Sequence, residues 1–201
     1  MNAGKVVQLS RQAHADQVDA AMRARIDAAI SGDAEAAHAL VLCVLPRVRN
    51  LIRYLVRGDD VDDLTQDALL KLLERLSSFR GDGRFEAWVD GVTMRVTLRN
   101  LSKRRADDRR FRTVVSEDLD RQVQSGPVQS PRYVARRRAV EALDQLPDNQ
   151  RHALVMHHVL GMTVAEISEE LTTPAETIRS RLRVGMGQVR ALLGALREES
   201  S

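Results

Sequence analysis

A chain of 201 residues with 43% hydrophobic side chains is long enough for one domain or two small ones, and too apolar to be disordered throughout. Aromatics at 3%, against abundant Ala, Leu, Val and Arg, favour helices over strands and make an all-α fold the expectation. The net charge of +3 hides 31 basic and 28 acidic side chains; the single cysteine, Cys43, excludes internal disulfides and thiolate metal sites, and neither a signal-like segment nor a run of about 20 apolar residues is present, so a cytoplasmic protein without membrane insertion is expected.

In chain order, Val18, Met22, Ile26 and Ile30 recur every four residues and predict a helix ending near Ser31 and Gly32. Asp33 is placed to cap a second helix, with apolar positions from Ala37 through Leu40, Val44, Val48 and Ile52 to Val56, that Pro46 should kink or divide. Cys43 falls on this stripe and reads as a small core residue. A third helix from about Asp60 to Leu76 turns Val61, Leu64, Ala68, Leu72 and Leu76 inward and leaves Asp63, Gln66, Asp67 and Lys71 outside. Phe79 to Gly83 reads as a turn, Arg80–Gly81–Asp82 included, and Phe85, Trp88, Val89, Val92 and Val96 form the stripe of a fourth helix.

From about Ser102 to Pro131 the periodicity fades into Arg, Asp, Ser, Gln, Gly and Pro, as expected of a flexible charged linker. Beyond it, Ala139, Ala142, Leu143 and Leu146 predict a helix stopped by Pro147, and Asp148 is placed to cap another carrying Leu154, Val155 and Val159 up to Gly161. Thr163 with Glu166 matches a capping box, and Thr173, Pro174 and Glu176 repeat that pattern before Ile178, Leu182, Met186, Val189 and Leu193.

Three constellations bear on function. A short helix, a turn at Leu171 to Thr173 and a longer helix from Pro174 have helix-turn-helix spacing, with Glu176, Thr177, Arg179, Ser180, Arg181 and Arg183 at the end that would enter a major groove; a helical hairpin with a solvated basic face is the alternative. The acidic start of the third helix, Asp59 to Asp67, fits the helix dipole, a solvated face or a protein partner, and lacks calcium-loop spacing. His152, His157 and His158 do not share a face and have no companion ligand motif, so no metal and no cofactor are expected. No Gly-rich phosphate loop or paired nucleophile and base is visible, so no catalytic residue or small-molecule substrate is assigned.

The segment DDLTQDALLKLLERLSSFRGDGRFEAWV, Asp62 to Val89, resembles the polymerase-binding helix and promoter-reading loop of the extracytoplasmic-function sigma factors of the sigma-70 family. ALDQLPDNQRHALVMHHVLGMTVAEISEELTTPAETIRSRL, Ala142 to Leu182, is similar to their C-terminal helix-turn-helix module. The resemblance implies an N-terminal extension over 1–32, a region 2-like domain over 33–105, a linker over 106–133 and a region 4-like domain over 134–197. It implies core polymerase contacts, to the largest-subunit clamp coiled coil and the flap, with Asp63, Gln66, Asp67 and Leu70 at the polymerase-binding face. Minus-ten DNA would meet Phe79, Arg80, Asp82, Phe85, Trp88, Arg95, Arg99, Lys103 and Arg104, with Arg105 adding charge. Minus-thirty-five DNA would meet Thr173, Glu176, Thr177, Arg179, Ser180, Arg181 and Arg183. An anti-sigma partner is implied too, and a stand-alone helix-turn-helix regulator is the second reading.

The sequence departs from the family pattern at Asp90, Gly91, Val92, Thr93 and Arg95 after the tryptophan. It departs again at Val184 to Gly187, where two glycines should weaken the recognition helix by roughly 1 kcal/mol each and thin its phosphate grip, and at His157 or His158, which stands where the family has an aromatic.

Overall fold

The computed structural model describes residues 20–58, 60–110 and 131–198. Asp59, the Arg105 side chain, most of the predicted N-terminal extension, Val18 included, and the greater part of the predicted linker lie outside the described residues. Among those described, the regular structure is helical. Helix α1 spans residues 20–30 and ends at Ser31 and Gly32, where Gly32 takes a φ of 95° that suits glycine alone. Helix α2 (Ala34–Leu55) begins as its sequence dictates: the Asp33 carboxylate accepts from the Glu35 and Ala36 backbone N–H groups at 2.9 and 3.0 Å. Pro46 does not divide it; the proline is exposed, and so is Leu42, whose carbonyl loses its helical partner.

Helix α3 (Val61–Glu74), a 3-10 turn at Leu76–Ser78, and α4 (Phe85–Arg110) complete a bundle in which α2, α3 and α4 pack pairwise. Val48, Leu51, Ile52 and Leu55 of α2 meet Leu64, Ala68 and Leu72 of α3 and Val89, Val92 and Met94 of α4, with Ile26 of α1 closing one side. Each of these Val, Leu, Ile and Met side chains contributes about 1.5–3 kcal/mol by leaving water, the Ala68 methyl less. Helix α4 is buried on more than one stripe: Thr93, Met94 and Thr97 are enclosed along with Val89 and Val92, while Trp88 and Val96 are only half-buried. Thr97 satisfies its hydroxyl by donating to the Thr93 carbonyl at 2.8 Å. The helix continues to Arg110, well past the point where apolar periodicity fades, in keeping with the helix propensity of Arg, Lys and Ala.

Cys43 is exposed, contrary to the core position expected for it. It sits roughly 110° around α2 from the centre of the buried stripe, on its flank.

In the second half, α5 (Pro131–Asp144), α6 (Asp148–Leu154), α7 (Val164–Glu170) and α8 (Ala175–Glu198) pack around Leu146, Leu154, Val155, Met156, Ile167 and Ile178. Pro147, not Asp148, occupies the cap position of α6, and no side chain caps it. A π turn at Val155–Val159 follows, with the Leu160 N–H bonded to the Val155 carbonyl at 3.1 Å. The wider turn breaks the 3.6 register, so Val159, expected inside, is 50% exposed. Val155, Met156, Ile167 and Ile178 of the second half belong to one cluster with the core of the first, and the end of α2 packs against α5 and α6.

Candidate functional site

On α3, Asp63, Gln66 and Asp67 are exposed and Leu70 is 54% exposed; spaced by three and four residues, they share one face. The inward positions, Val61, Leu64, Thr65, Ala68 and Leu72, are all buried, which fixes that face outward. The neighbouring carboxylates are neutralised locally: Asp62 pairs with Arg49 at 2.9 Å and Asp60 with Arg104 at 2.5 Å. Asp67 accepts a hydrogen bond from the Asn100 amide of α4 at 3.0 Å. Beside this face, Val41, Leu45, Leu69, Leu70 and Leu73 line an open groove of about 740 Å³ between α2 and α3.

The Phe79–Phe85 turn stands on three rings. Phe79, Phe85 and Trp88 lie 5.3 to 5.7 Å apart between centroids, with Phe85 and Trp88 stacked at 18°. Phe85 is buried and the other two are half-buried, so the rings brace the turn from beneath while Arg80, Asp82 and Arg84 point into solvent. Gly81 has a φ of 80°, and a side chain there would also meet the Arg23 guanidinium of α1, 3.1 to 3.2 Å from a Cβ. Arg95, Arg99 and Lys103 are exposed at intervals of four and form a basic stripe along α4 leading from the turn. Arg104 is drawn off this set to Asp60, whose hydrogen bond holds its guanidinium above its ordinary pKa.

Two departures from the family pattern have structural roles in this region. Asp90 takes a bidentate grip from Arg47 of α2, both contacts at 2.6 Å, and ties α2 to α4. Gly91 leaves room for the Arg95 side chain, which lies 3.4 Å from where a Cβ would stand.

Helices α7 and α8 form the helix-turn-helix. The Thr163–Glu166 capping box is complete: Glu166 N–H donates to the Thr163 hydroxyl at 3.2 Å, and Thr163 donates its backbone N–H and its hydroxyl to Glu166 Oε2 at 2.7 and 2.8 Å. These bonds hold the Glu166 carboxyl below its ordinary pKa. The second box, at Thr173 and Glu176, does not form; Thr173 donates instead to the Leu171 carbonyl at 3.0 Å, and Glu176 pairs with Arg179 at 3.0 Å. The turn closes through Thr172 at a φ of 47° and a Ser168 hydroxyl bond to the Thr173 carbonyl at 2.7 Å. Ile167 and Ile178 are fully buried at the crossing, which leaves Glu176, Thr177, Arg179, Ser180 and Arg183 exposed; Thr173 and Arg181 sit at the flank, half-buried.

Gly185 has a packing reason: a Cβ there would stand 3.0 Å from Leu154 Cδ1 and 3.3 Å from Gln150 Cβ of α6. Gly187 has nothing within 4 Å. His157 bonds through Nδ1 to the Met162 carbonyl at 2.8 Å and meets the His158 ring edge-on. Burial, then the neighbouring His157 and Arg190, hold His158 below its usual pKa. Among the described residues no group of three or more His, Cys, Asp or Glu is arranged to hold a metal, and no helix is long and apolar enough to cross a membrane.

Sequence reasoning missed one polar cluster. Arg151 of α6 is fully buried with Asp144 of α5, and both reach Arg53 at the end of α2. The available signal was an arginine three and four residues ahead of Leu154 and Val155, on the inward stripe of a helix, where a charge demands a partner.

Family models described as Sigma-70 region 2 and Sigma-70 region 4 match residues 40–107 and 136–189. The chain is 25% identical over 158 residues to the ECF RNA polymerase sigma-E factor of Escherichia coli K12, covering 75% of this chain and 83% of that one. It is 28% identical over 159 residues to the RNA polymerase sigma-H factor of Pseudomonas aeruginosa, covering 75% and 82%. In fold it is similar to the sigma factor RpoE solved in complex with the anti-sigma factor NepR from Bartonella quintana, with a TM-score of 0.53 at 22% identity over 78% of this chain and 96% of that one.

Proposed function

The chain belongs to the extracytoplasmic-function sigma factors of the sigma-70 family, promoter-recognising initiation factors of RNA polymerase, and we propose how its surfaces divide that work. Asp63, Gln66, Asp67 and Leu70 form the face of α3 that docks on core polymerase, against a basic coiled coil of its clamp. The Phe79–Phe85 turn and the Arg95, Arg99 and Lys103 stripe meet the minus-ten element, where unstacked bases and their phosphates need pockets and positive charge. The exposed end of α8, with Arg179, Ser180 and Arg183 foremost, reads duplex DNA at the minus-thirty-five element.

The observation that carries this division is the segregation of charge within one bundle. An exposed acidic face on α3 stands beside a basic stripe on α4, and the two helices are packed together so that docking one positions the other. A stand-alone regulator leaves the α3 face and the Phe79–Phe85 turn without work. In this role the chain acts by binding, without catalysis of its own, in the cytoplasm where core polymerase is found. An anti-sigma protein is the regulatory partner in this reading.

Reconstitution tests it. Purified chain added to core polymerase on genomic promoters should co-elute with the enzyme and give discrete run-off transcripts. Binding to DNA alone, with no co-elution and no transcripts, would favour the regulator.

A further inference from the structure

The tip of the Phe79–Phe85 turn is held from outside by a residue of α1. Gly81 and Gly83 both fall within the tip, residues 80–83, a composition that leaves the backbone many conformations to choose from. Nothing lies within 4 Å of a Cβ placed on Gly83, so that side of the tip is unpacked. Gly81 is different. Nη1, Cζ and Nη2 of Arg23 stand 3.1, 3.2 and 3.2 Å from the point a Gly81 Cβ would occupy, near-equal distances that lay the flat guanidinium face-on over the glycine. Nη2 also donates to the Gly81 carbonyl at 3.5 Å, across 58 positions of sequence. Among the described residues this is the one hydrogen bond or ion pair that reaches the tip from another element. Helix α1 is itself seated, by Ile26 at 3% exposure and by Met22 packed against the same core. Arg23 is exposed, no carboxylate among the described residues pairs with it, and it lies outside the segment 40–107 that matches the region 2 model.

We propose that Arg23 is a positioning residue for promoter reading: its guanidinium pins the Gly81 peptide to α1 and holds the turn in the shape that receives the unstacked strand. The proposal rests on the reading of this turn as part of the minus-ten surface. A loop that is already fixed gives up less conformational freedom when the strand arrives. The tie is therefore expressed in the stability of the promoter complex and not in the docking of α3 on polymerase. A lysine does not replace it, because an ammonium is a compact charge with no plane to lay over a glycine.

The test uses the full chain with core polymerase on a promoter fragment that gives a run-off transcript. Arg23→Ala and Arg23→Lys are compared with the parent and with a control, Arg25→Ala, which removes an exposed arginine about 200° further round α1. Each Arg23 variant should weaken the promoter complex by about three- to tenfold, the effect of one modest contact. Core polymerase binding, the helical circular dichroism spectrum and the slope of promoter affinity against salt should stay as in the parent, and Arg25→Ala should match the parent throughout. In the free chain, Trp88 is the only tryptophan and belongs to the ring trio beneath the turn, so acrylamide should quench it more readily in both Arg23 variants. Parent-like promoter binding by Arg23→Ala, or a loss with Trp88 quenching unchanged, would overturn the proposal. Full rescue by Arg23→Lys, with a salt slope shallower by about 0.7 in Arg23→Ala, would overturn it too, as the mark of a phosphate contact in place of a grip on the turn. An equal loss from Arg25→Ala would reduce the effect to general charge and overturn it likewise. If the parent itself forms no promoter complex with polymerase, the functional reading falls and takes the role of Arg23 with it; a parent that forms the complex while Arg23→Ala equals it removes the role of Arg23 alone.

Discussion

Asn100 of α4 holds the Asp67 carboxylate of α3 at 3.0 Å, so a residue of the proposed polymerase-docking face is fixed by the helix that carries the basic stripe. The bond lies near the surface and is worth about 0.5–1.5 kcal/mol. Asn100→Ala should weaken binding of core polymerase by less than about tenfold, with no change in melting temperature beyond a few degrees. A titration by fluorescence anisotropy measures the first and calorimetry the second.

Asp90 and Arg47 join α4 to α2 through two 2.6 Å contacts, with side-chain exposures of 14% and 46%. Half of the pair faces water, which limits its worth to about 1 kcal/mol despite the bidentate geometry. A double-mutant cycle of Asp90→Ala and Arg47→Ala in urea should return a coupling of that size. A coupling near zero would reduce the contact to a surface coincidence.

The two glycines of α8 should respond in opposite directions. At Gly187 an alanine meets nothing within 4 Å and gains about 0.5–1 kcal/mol of helix propensity, raising the melting temperature. At Gly185 the new methyl presses on the buried Leu154 at 3.0 Å, and overpacking of about 1–3 kcal/mol outweighs the same gain. Thermal denaturation of Gly187→Ala and Gly185→Ala decides it.

The Glu166 carboxyl, held below its ordinary value of 4.5 by the Thr163 N–H and then the Thr163 hydroxyl, gives a pH dependence of known sign. A depressed carboxyl pKa contributes stability that is fully present above 4.5 and is lost as pH falls through the folded value. Glu166→Gln should therefore lower the melting temperature at neutral pH, and the difference from the parent chain should shrink below pH 4.5. A difference that stays constant into acid would assign the effect to something other than the charge.

The residues that were legible in advance are those whose partners are close in sequence. Thr163 and Glu166 are three apart, and the inward residues of α3 follow the helical period without interruption. Cys43 and Val159 were misplaced by the same periodicity: Cys43 sits at the flank of its stripe, and Val159 follows a π turn that sequence spacing does not announce. The Thr173–Glu176 box failed because Thr173 found a nearer acceptor in the Leu171 carbonyl. Arg151 and Asp90 could not be paired from sequence, since the backbone partners of Arg151 lie 95 to 98 positions away and Arg47 lies 43 from Asp90. On the proposed DNA-facing surfaces, residue type and helical face were readable; the diversion of Arg104 to Asp60 and the half-burial of Arg181 were not, because both depend on how separate helices meet.

Arg179 is exposed on the leading turn of α8 and engaged by Glu176 alone among the described partners, an i,i+3 pair that DNA can displace. Arg179→Ala should lower initiation from promoters that depend on the upstream element by roughly 10- to 100-fold, the effect of about 1–3 kcal/mol in a base contact. Association with core polymerase should be unchanged, and run-off transcription beside co-elution separates the two effects.

Asp63 and Asp67 carry the central claim, that an acidic helical face brings this chain to the transcription machinery. Reversing both (Asp63→Lys with Asp67→Lys) and measuring co-elution with core RNA polymerase tests it most directly, with circular dichroism as the control on folding. Like charges facing the basic partner should weaken binding by about 100-fold or more and abolish co-elution, while the helical spectrum stays as it was. Undiminished co-elution of the reversed chain would place the polymerase contact elsewhere.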